Sequence, residues 1–343
     1  MTACIAATLV AAAFVFGEHF RLKAEATCSF EASRSFEASR SFEGSRSFEG
    51  SRSFEGRRSF EGSRGFRLQA EGSRSLRPSG TQWISADGQP FAWRGITAFR
   101  LLEFVAHGRE READDYLSWA SSQGITVVRV LAMAHVLFKL SPQDGVGALP
   151  RLLELAQRRG VAVEIVTLAD TAHYRFDVTQ HVRAIGEICA RHPNAVIEIA
   201  NEPYHPTQSR DVHDHPFLRR LREAIPRDVP VSLGTLDDQG ELAAGDYVTW
   251  HSPRDGDWVK RLEEGAPLLR RYGKPVVADE PMGAADRAIP GRRDNDPARF
   301  RAAAHTLRTL GLGATFHYEG GLQARRPTRR EDECLTAWLS ALR

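Results

Sequence analysis

The chain has 343 residues, 42% hydrophobic and 26% charged, with 46 Lys and Arg against 44 Asp and Glu for a formal charge of +2. This is ordinary globular usage with apolar material for one large core, and so near a balance gives no field to gather nucleic acid or an anionic membrane. The cysteines Cys4, Cys28, Cys189 and Cys334 show no C-x-x-C pair and no regular spacing, which argues against a zinc knuckle or a disulfide framework.

From Ala3 to Gly17 the sequence is almost wholly apolar and small. It has the length of a signal-peptide core without the preceding Lys or Arg, and it falls short of the roughly 20 residues of a membrane span. Export and residence in the cytoplasm are both compatible with it. A hexad, S-F-E-(A/G)-S-R, then runs six times from Ser29 to Arg64 with one variation at Arg57. Its period fits neither a helix nor a solenoid unit, and one Phe per hexad among Ser, Gly, Glu and Arg encloses no core. Residues 1–80 are therefore expected to be a disordered low-complexity segment. It is a spacer or weak adhesive tail, or, the reading we prefer, a tandem DNA repeat translated from too early a start codon.

Beyond Pro78 short apolar, β-branched runs alternate with stretches of helical periodicity, the pattern of βα units around a parallel sheet. Eight strands are predicted, at Phe91–Ile96, Thr126–Leu131, Ala162–Thr167, Ala195–Ala200, Val229–Leu233, Tyr247–Trp250, Pro275–Ala278 and Ala314–His317. Helices are predicted at Glu110–Gln123, Ala148–Arg159, Asp177–Arg191, Trp258–Tyr272, Pro297–Leu310 and Glu331–Leu342, with only a rudimentary one after the fifth strand. Trp83 and the turn Ala86–Pro90 suggest a hairpin plugging the barrel bottom. Residues 81–343 thus read as one (β/α)₈ TIM barrel of the usual size. An open doubly wound sheet is the runner-up, but no G-x-G-x-x-G follows the first strand and no P-loop occurs.

In such barrels reactive groups project from the C-terminal ends of strands. Two strands end in Glu-Pro: Ala195–Ala200 leads into Asn201-Glu202-Pro203-Tyr204, and Pro275–Ala278 into Asp279-Glu280-Pro281. Retaining glycoside cleavage needs one carboxyl group to protonate the leaving oxygen and another to attack the anomeric carbon, about 5 Å apart. The fourth and seventh strands face each other across a barrel mouth, so two Glu residues remote in sequence can meet over one sugar.

Here the chain resembles the cellulase-like branch of glycoside hydrolase clan A, with Ile197-Glu198-Ile199-Ala200-Asn201-Glu202-Pro203 as the strongest motif and the order of elements from Thr81 to Arg343 in agreement. The resemblance implies Glu202 as acid/base, Glu280 as nucleophile, Asn201 on the sugar 2-hydroxyl, Arg129 beneath the nucleophile and His251 near the pair. It implies a carbohydrate substrate and neither cofactor nor metal. Three departures from the family pattern bear on substrate choice. Asp170, with His173 and Tyr174 beyond it, stands where a His is usual on the third strand. His251 is followed by Ser252 and Pro253 rather than completing His-x-Tyr. The eighth strand runs into His317-Tyr318 instead of a sugar-stacking Trp, leaving His317 or Tyr318 as the platform. Tyr204 is the best further stacking candidate.

Each residue also has a plainer reading. Glu202 and Glu280 can cap helices, Arg129 can serve a structural salt bridge, and His251 can be hydrogen-bonded structure. A carbohydrate-binding barrel without catalysis and a metal-dependent hydrolase on the same barrel are the rival functions. The second lacks its H-x-H on the first strand, which reads Trp93-Arg94-Gly95-Ile96, while His213-Asp214-His215 falls in a polar loop.

Overall fold

The computed structural model describes residues 76–235 and 244–343. The expectations for the hexad repeat and for a rudimentary helix after the fifth strand fall outside these residues. Eight parallel strands form one sheet: β1 (Arg94–Thr97), β2 (Val127–Leu131), β3 (Ala162–Leu168), β4 (Ala195–Ala200), β5 (Val231–Ser232), β6 (Val248–Trp250), β7 (Val276–Ala278) and β8 (Gly313–Phe316). Their order is β5-β4-β3-β2-β1-β8-β7-β6, so the two ends of the sheet are neighbours in sequence and only the β5–β6 ladder is missing from a closed ring. Side chains bridge that seam: the hydroxyls of Ser232 and Thr249 lie 2.8 Å apart, and Thr249 N–H donates to Ser232 Oγ at 3.3 Å. The fold is the (β/α)₈ barrel that the alternation of elements predicts.

Strands β2, β3 and β4 are buried along their whole length, as a sheet covered on both faces requires, which is why they read as continuous apolar runs rather than alternating ones. Outside them pack helices at Glu110–Ser122, Pro142–Arg158, Val178–Arg191, His215–Glu223, Trp258–Leu269, Pro297–Thr309 and Arg329–Leu342. The helix after β2 begins six residues ahead of the predicted Ala148, because Ser141 caps Asp144 N–H and Pro142 occupies the first turn, where proline's missing N–H costs nothing. The helix at His215–Glu223, which apolar periodicity did not reveal, starts in the same way with Asp214 accepting from Phe217 N–H. That cap accounts for Asp214 in the His213-Asp214-His215 triplet. The last helix opens on a capping box between Thr328 and Glu331.

A hairpin of Leu76–Ser79 with Gln82–Ser85 closes the end of the barrel where the strands begin. Trp83 packs against Trp93 with ring centres 5.0 Å apart and edge-to-face against Tyr247 at 4.9 Å, in a buried cluster with Leu76, Val127, Ala162, Val196 and Val277. The aromatic trio buries about 150–250 Å² per side chain, a contribution of several kcal/mol at about 25 cal/mol/Å². With that end sealed, the opposite end, where the strands finish, is the open one. Among the described residues no helix is long and apolar enough to cross a membrane.

Candidate active site

The centre of the barrel mouth is organised by Arg129, fully buried on β2. A guanidinium cannot remain charged in a protein interior without partners, and Arg129 has them on three other strands. Its Nε and Nη2 donate to Glu198 Oε2 on β4 at 2.9 and 2.7 Å, Nη2 also to Asn201 Oδ1 at 2.8 Å, and Nη1 to Glu280 Oε1 at 2.5 Å. Asp279 Oδ2 lies 3.3 Å and Glu164 Oε2 3.8 Å from Nε. The ring of Phe99 closes one face of the guanidinium at 5.3 Å.

So many carboxyl groups around one cation cannot all ionise, and their environments separate them. Burial, together with the charges of Asp279 and Glu198, holds Glu164 well above the ordinary carboxylate range, and its Oε1 lies 2.9 Å from the Tyr247 hydroxyl. Burial likewise pushes Glu198 up to about 8 against the pull of Arg129. Burial would also raise Asp279 and Glu280, but in both the charges of Arg129 and His251 outweigh it. Glu280 is thus held well below its usual range, with the further help of Arg254.

Glu202 and Glu280 come together above this layer. Glu202, His251 and Glu280 each offer one atom within 4.8 Å of the others, so an oxygen of Glu202 lies within that distance of an oxygen of Glu280. The chain turns sharply at Glu202, whose φ of 45° is left-handed. A non-glycine residue in that region costs about 1–3 kcal/mol. The turn is closed by His205 N–H donating to Glu202 C=O at 2.8 Å. Gly234, after β5, packs beneath it: a Cβ there would lie 2.1 Å from Ala200 O.

His251, one residue past β6, joins the two acids. Its Nδ1 is 3.1 Å from Glu202 Oε1, and its Nε2 is 3.5 Å from Asp279 and 3.9 Å from Glu280. Burial alone would lower its pKa, but the charges of Glu280 and Asp279 with hydrogen bonds to Asp279 and Glu202 raise it to about 10. Glu202 in turn is lowered by this imidazolium in spite of burial. Two three-ligand groups of metal-binding spacing exist here, Glu202/His251/Glu280 and Glu198/His251/Asp279. The Arg129 guanidinium already donates to Glu198 and Glu280, and His251 is charged, so a second cation meets electrostatic opposition there.

The remaining predicted residues divide. Tyr204 is 43% exposed beside the mouth. His317 is buried, with Nδ1 3.0 Å from Thr97 Oγ1, and burial, helped by the charges of Arg254, Arg293 and Arg129 against the pull of Glu280, holds its pKa well below the usual imidazole range. Tyr318 lies in the core, with no exposed surface. Its hydroxyl sits 2.9 Å from that of Tyr116 and donates to Arg325 C=O at 2.6 Å, so no face is offered to a sugar. Asp170 stands apart from the carboxylate pair and accepts the backbone N–H groups of His135, Val136 and Leu137 at 3.0, 2.8 and 3.2 Å. It fixes the loop after β2.

Arg254 is the residue that sequence reasoning missed. Its Nη2 donates to Glu280 Oε2 at 2.7 Å and to the Glu280 carbonyl at 3.1 Å. Glu280 therefore has a guanidinium on each oxygen. The only trace in the sequence is the departure after His251, where Ser252 and Pro253 follow instead of completing His-x-Tyr, and Arg254 comes next.

At the ends of β4 and β7 the barrel thus holds two closely spaced carboxylates, a buried Glu280 clamped between guanidinium groups and a half-buried Glu202 beside His251. The fold is that of cellulase-like (β/α)₈ glycoside hydrolases. A β-glucanase from Saccharophagus degradans superposes with a TM-score of 0.61 at 12% identity, over 80% of this chain and 95% of the other. The endo-1,4-β-mannanase of Rhizomucor miehei gives 0.57 at 15% identity over 78% and 99%. A Bacteroides vulgatus structure gives 0.58 at 17% identity over 74% of this chain, which spans only 56% of that longer protein. No protein-family model and no curated protein matches the sequence.

Proposed function

We propose that the barrel is a retaining glycoside hydrolase that cleaves O-glycosidic bonds by double displacement, with Glu280 as nucleophile and Glu202 as acid/base. The observation that carries this reading is the approach of Glu202 and Glu280 oxygens to within 4.8 Å, the close spacing of a retaining rather than an inverting pair. Glu280 attacks the anomeric carbon while the leaving oxygen takes the proton shared by Glu202 and His251. The glycosyl ester that forms on Glu280 is then hydrolysed by water that Glu202 deprotonates. Asn201, held by Arg129 Nη2 through its Oδ1, has its amide N–H groups left for the sugar 2-hydroxyl. Tyr204 is the stacking surface at the mouth. The β-glucanase and mannanase likenesses favour a β-linked glycan as substrate.

A 2-fluorosugar inhibitor series followed by peptide mapping tests the assignment. The expected label is on the peptide carrying Glu280, with Glu280→Ala inactive and Glu202→Ala partly rescued by azide on an activated aryl glycoside. Glycan binding without turnover, unchanged by either substitution, would reduce the protein to a carbohydrate-binding barrel.

A further inference from the structure

Arg254 stands in the loop after β6, three residues past His251, and Ser252 between them is buried. The loop after β7 backs its main chain, so that a Cβ on Gly291 would lie 3.5 Å from Arg254 O. From this position the guanidinium meets one residue in two places. Nη2 donates to Glu280 Oε2 at 2.7 Å and to the Glu280 carbonyl at 3.1 Å, and Nε donates to the same carbonyl at 3.4 Å. A cation that bridges the carboxylate of a residue and its own main chain restrains the torsions between them, so Glu280 is held in one rotamer.

The two guanidinium groups on Glu280 are not equivalent. Arg129 is wholly buried and divides its charge among Glu280, Glu198, Asp279 and Glu164. Among the described residues Arg254 forms its ion pair with Glu280 alone, and its side chain is 23% exposed. Arg129 therefore holds the whole layer of acids together, whereas Arg254 serves the nucleophile.

In a double displacement one oxygen of Glu280 bonds to the anomeric carbon, the other becomes the ester carbonyl, and the negative charge of the carboxylate is lost. In the second step water bonds to that carbon, its proton passes to Glu202, and the electron pair of the breaking C–O bond returns to Glu280. A cation at the carboxylate attracts the anion more strongly than the neutral ester. Whichever oxygen carries the sugar, the guanidinium thus opposes the first change of charge and assists the second.

Resting on the glycosidase reading, we infer that Arg254 is a positioning residue that makes Glu280 a good leaving group, speeding hydrolysis of the glycosyl ester rather than its formation.

The test uses the full chain with 2,4-dinitrophenyl 2-deoxy-2-fluoro-β-cellobioside and the corresponding β-mannobioside, on which ester formation and ester hydrolysis are followed separately by intact mass spectrometry. In Arg254→Gln hydrolysis is expected to slow by about tenfold to a hundredfold, the worth of a hydrogen bond to a charged group, and formation far less. On the non-fluorinated glycosides kcat and KM then fall together while kcat/KM changes little. Arg254→Met, which keeps the apolar stem, is a second uncharged variant with the same expectation. Arg254→Lys keeps the charge without the fork and is expected to recover part of the hydrolysis rate. Circular dichroism checks the fold of each variant.

An ester on Glu280 that is hydrolysed as fast in the uncharged variants as in the parent overturns the inference and leaves the glycosidase standing. Formation and hydrolysis slowed equally, with kcat/KM falling as far as kcat, has the same result. Failure of both uncharged variants to fold makes Arg254 a structural residue and also overturns it. A parent in which Glu280 takes no label removes the glycosidase reading, and the inference with it.

Discussion

His251 donates from Nδ1 to Oε1 of Glu202 at 3.1 Å, so the two side chains titrate as a pair holding one proton. Because His251 is raised to about 10 while Glu202 is lowered, that proton resides on the imidazole, and in the proposed reaction the leaving oxygen draws it through Glu202. Groups coupled this closely have titration steps belonging to the pair.

The pH profile follows with a definite sign. Glu280 must be ionised, and it is held well below the usual carboxylate range, so the acid limb of kcat/KM falls only as pH drops well into the acid region. The Glu202–His251 pair must keep its proton, so the alkaline limb lies near pH 10, the His251 value, and activity is flat through neutrality. In His251→Gln the proton has only Glu202 to sit on, and the alkaline limb moves acidward by several units. An alkaline limb that stays in place in His251→Gln would show that the histidine does not hold the proton.

Arg129→Gln removes a cation that pairs with Glu198, Asp279 and Glu280 together. Breaking a buried ion pair costs about 3–5 kcal/mol, to be read by urea unfolding at neutral pH. Asp279 and Glu280 have lowered pKa values in the fold partly through Arg129, so their contribution is present above the unfolded carboxylate range and is lost as pH falls. The gap between variant and parent therefore narrows in acid. A gap that widens there contradicts the arrangement.

Asp170→Ala strips the acceptor from the N–H groups of His135, Val136 and Leu137. Losing a helix cap costs about 0.5–2 kcal/mol, and hydrogen exchange at these three amides is expected to accelerate while that of the β3 ladder does not. Amides that keep their protection would mean that other groups hold this loop.

Tyr318→Phe deletes a hydroxyl bonded to Tyr116 and Arg325 within the core. The expected result is a loss of about 1–3 kcal/mol, the range for leaving buried partners unsatisfied, with KM for glycosides unaltered. A raised KM at unchanged stability would return Tyr318 to the sugar.

Much of this molecule was legible from residue order alone because strand and helix periods are local properties. Eight apolar runs separated by amphipathic ones dictate a βα ring, and a carboxylate directly after such a run is carried to the rim wherever the ring closes. This is why Glu202 and Glu280 were identifiable. Arg129 was identifiable for a related reason: an arginine inside Val127–Leu131 has to find anions, and only the barrel centre collects enough of them.

Local order does not say where a side chain turns once the strand has ended. Tyr318 and Asp170 occupy rim positions as suggestive as that of His251, yet one folds back onto Tyr116 and the other caps the loop after β2. Arg254 lies three residues beyond His251, in a loop whose course no strand or helix period fixes, and yet it donates to Glu280 Oε2. The ring of strands and its opposed acids were set by periodicity along the chain. The charges surrounding those acids were decided by loop packing, since a loop side chain takes its direction from neighbours supplied by distant parts of the sequence.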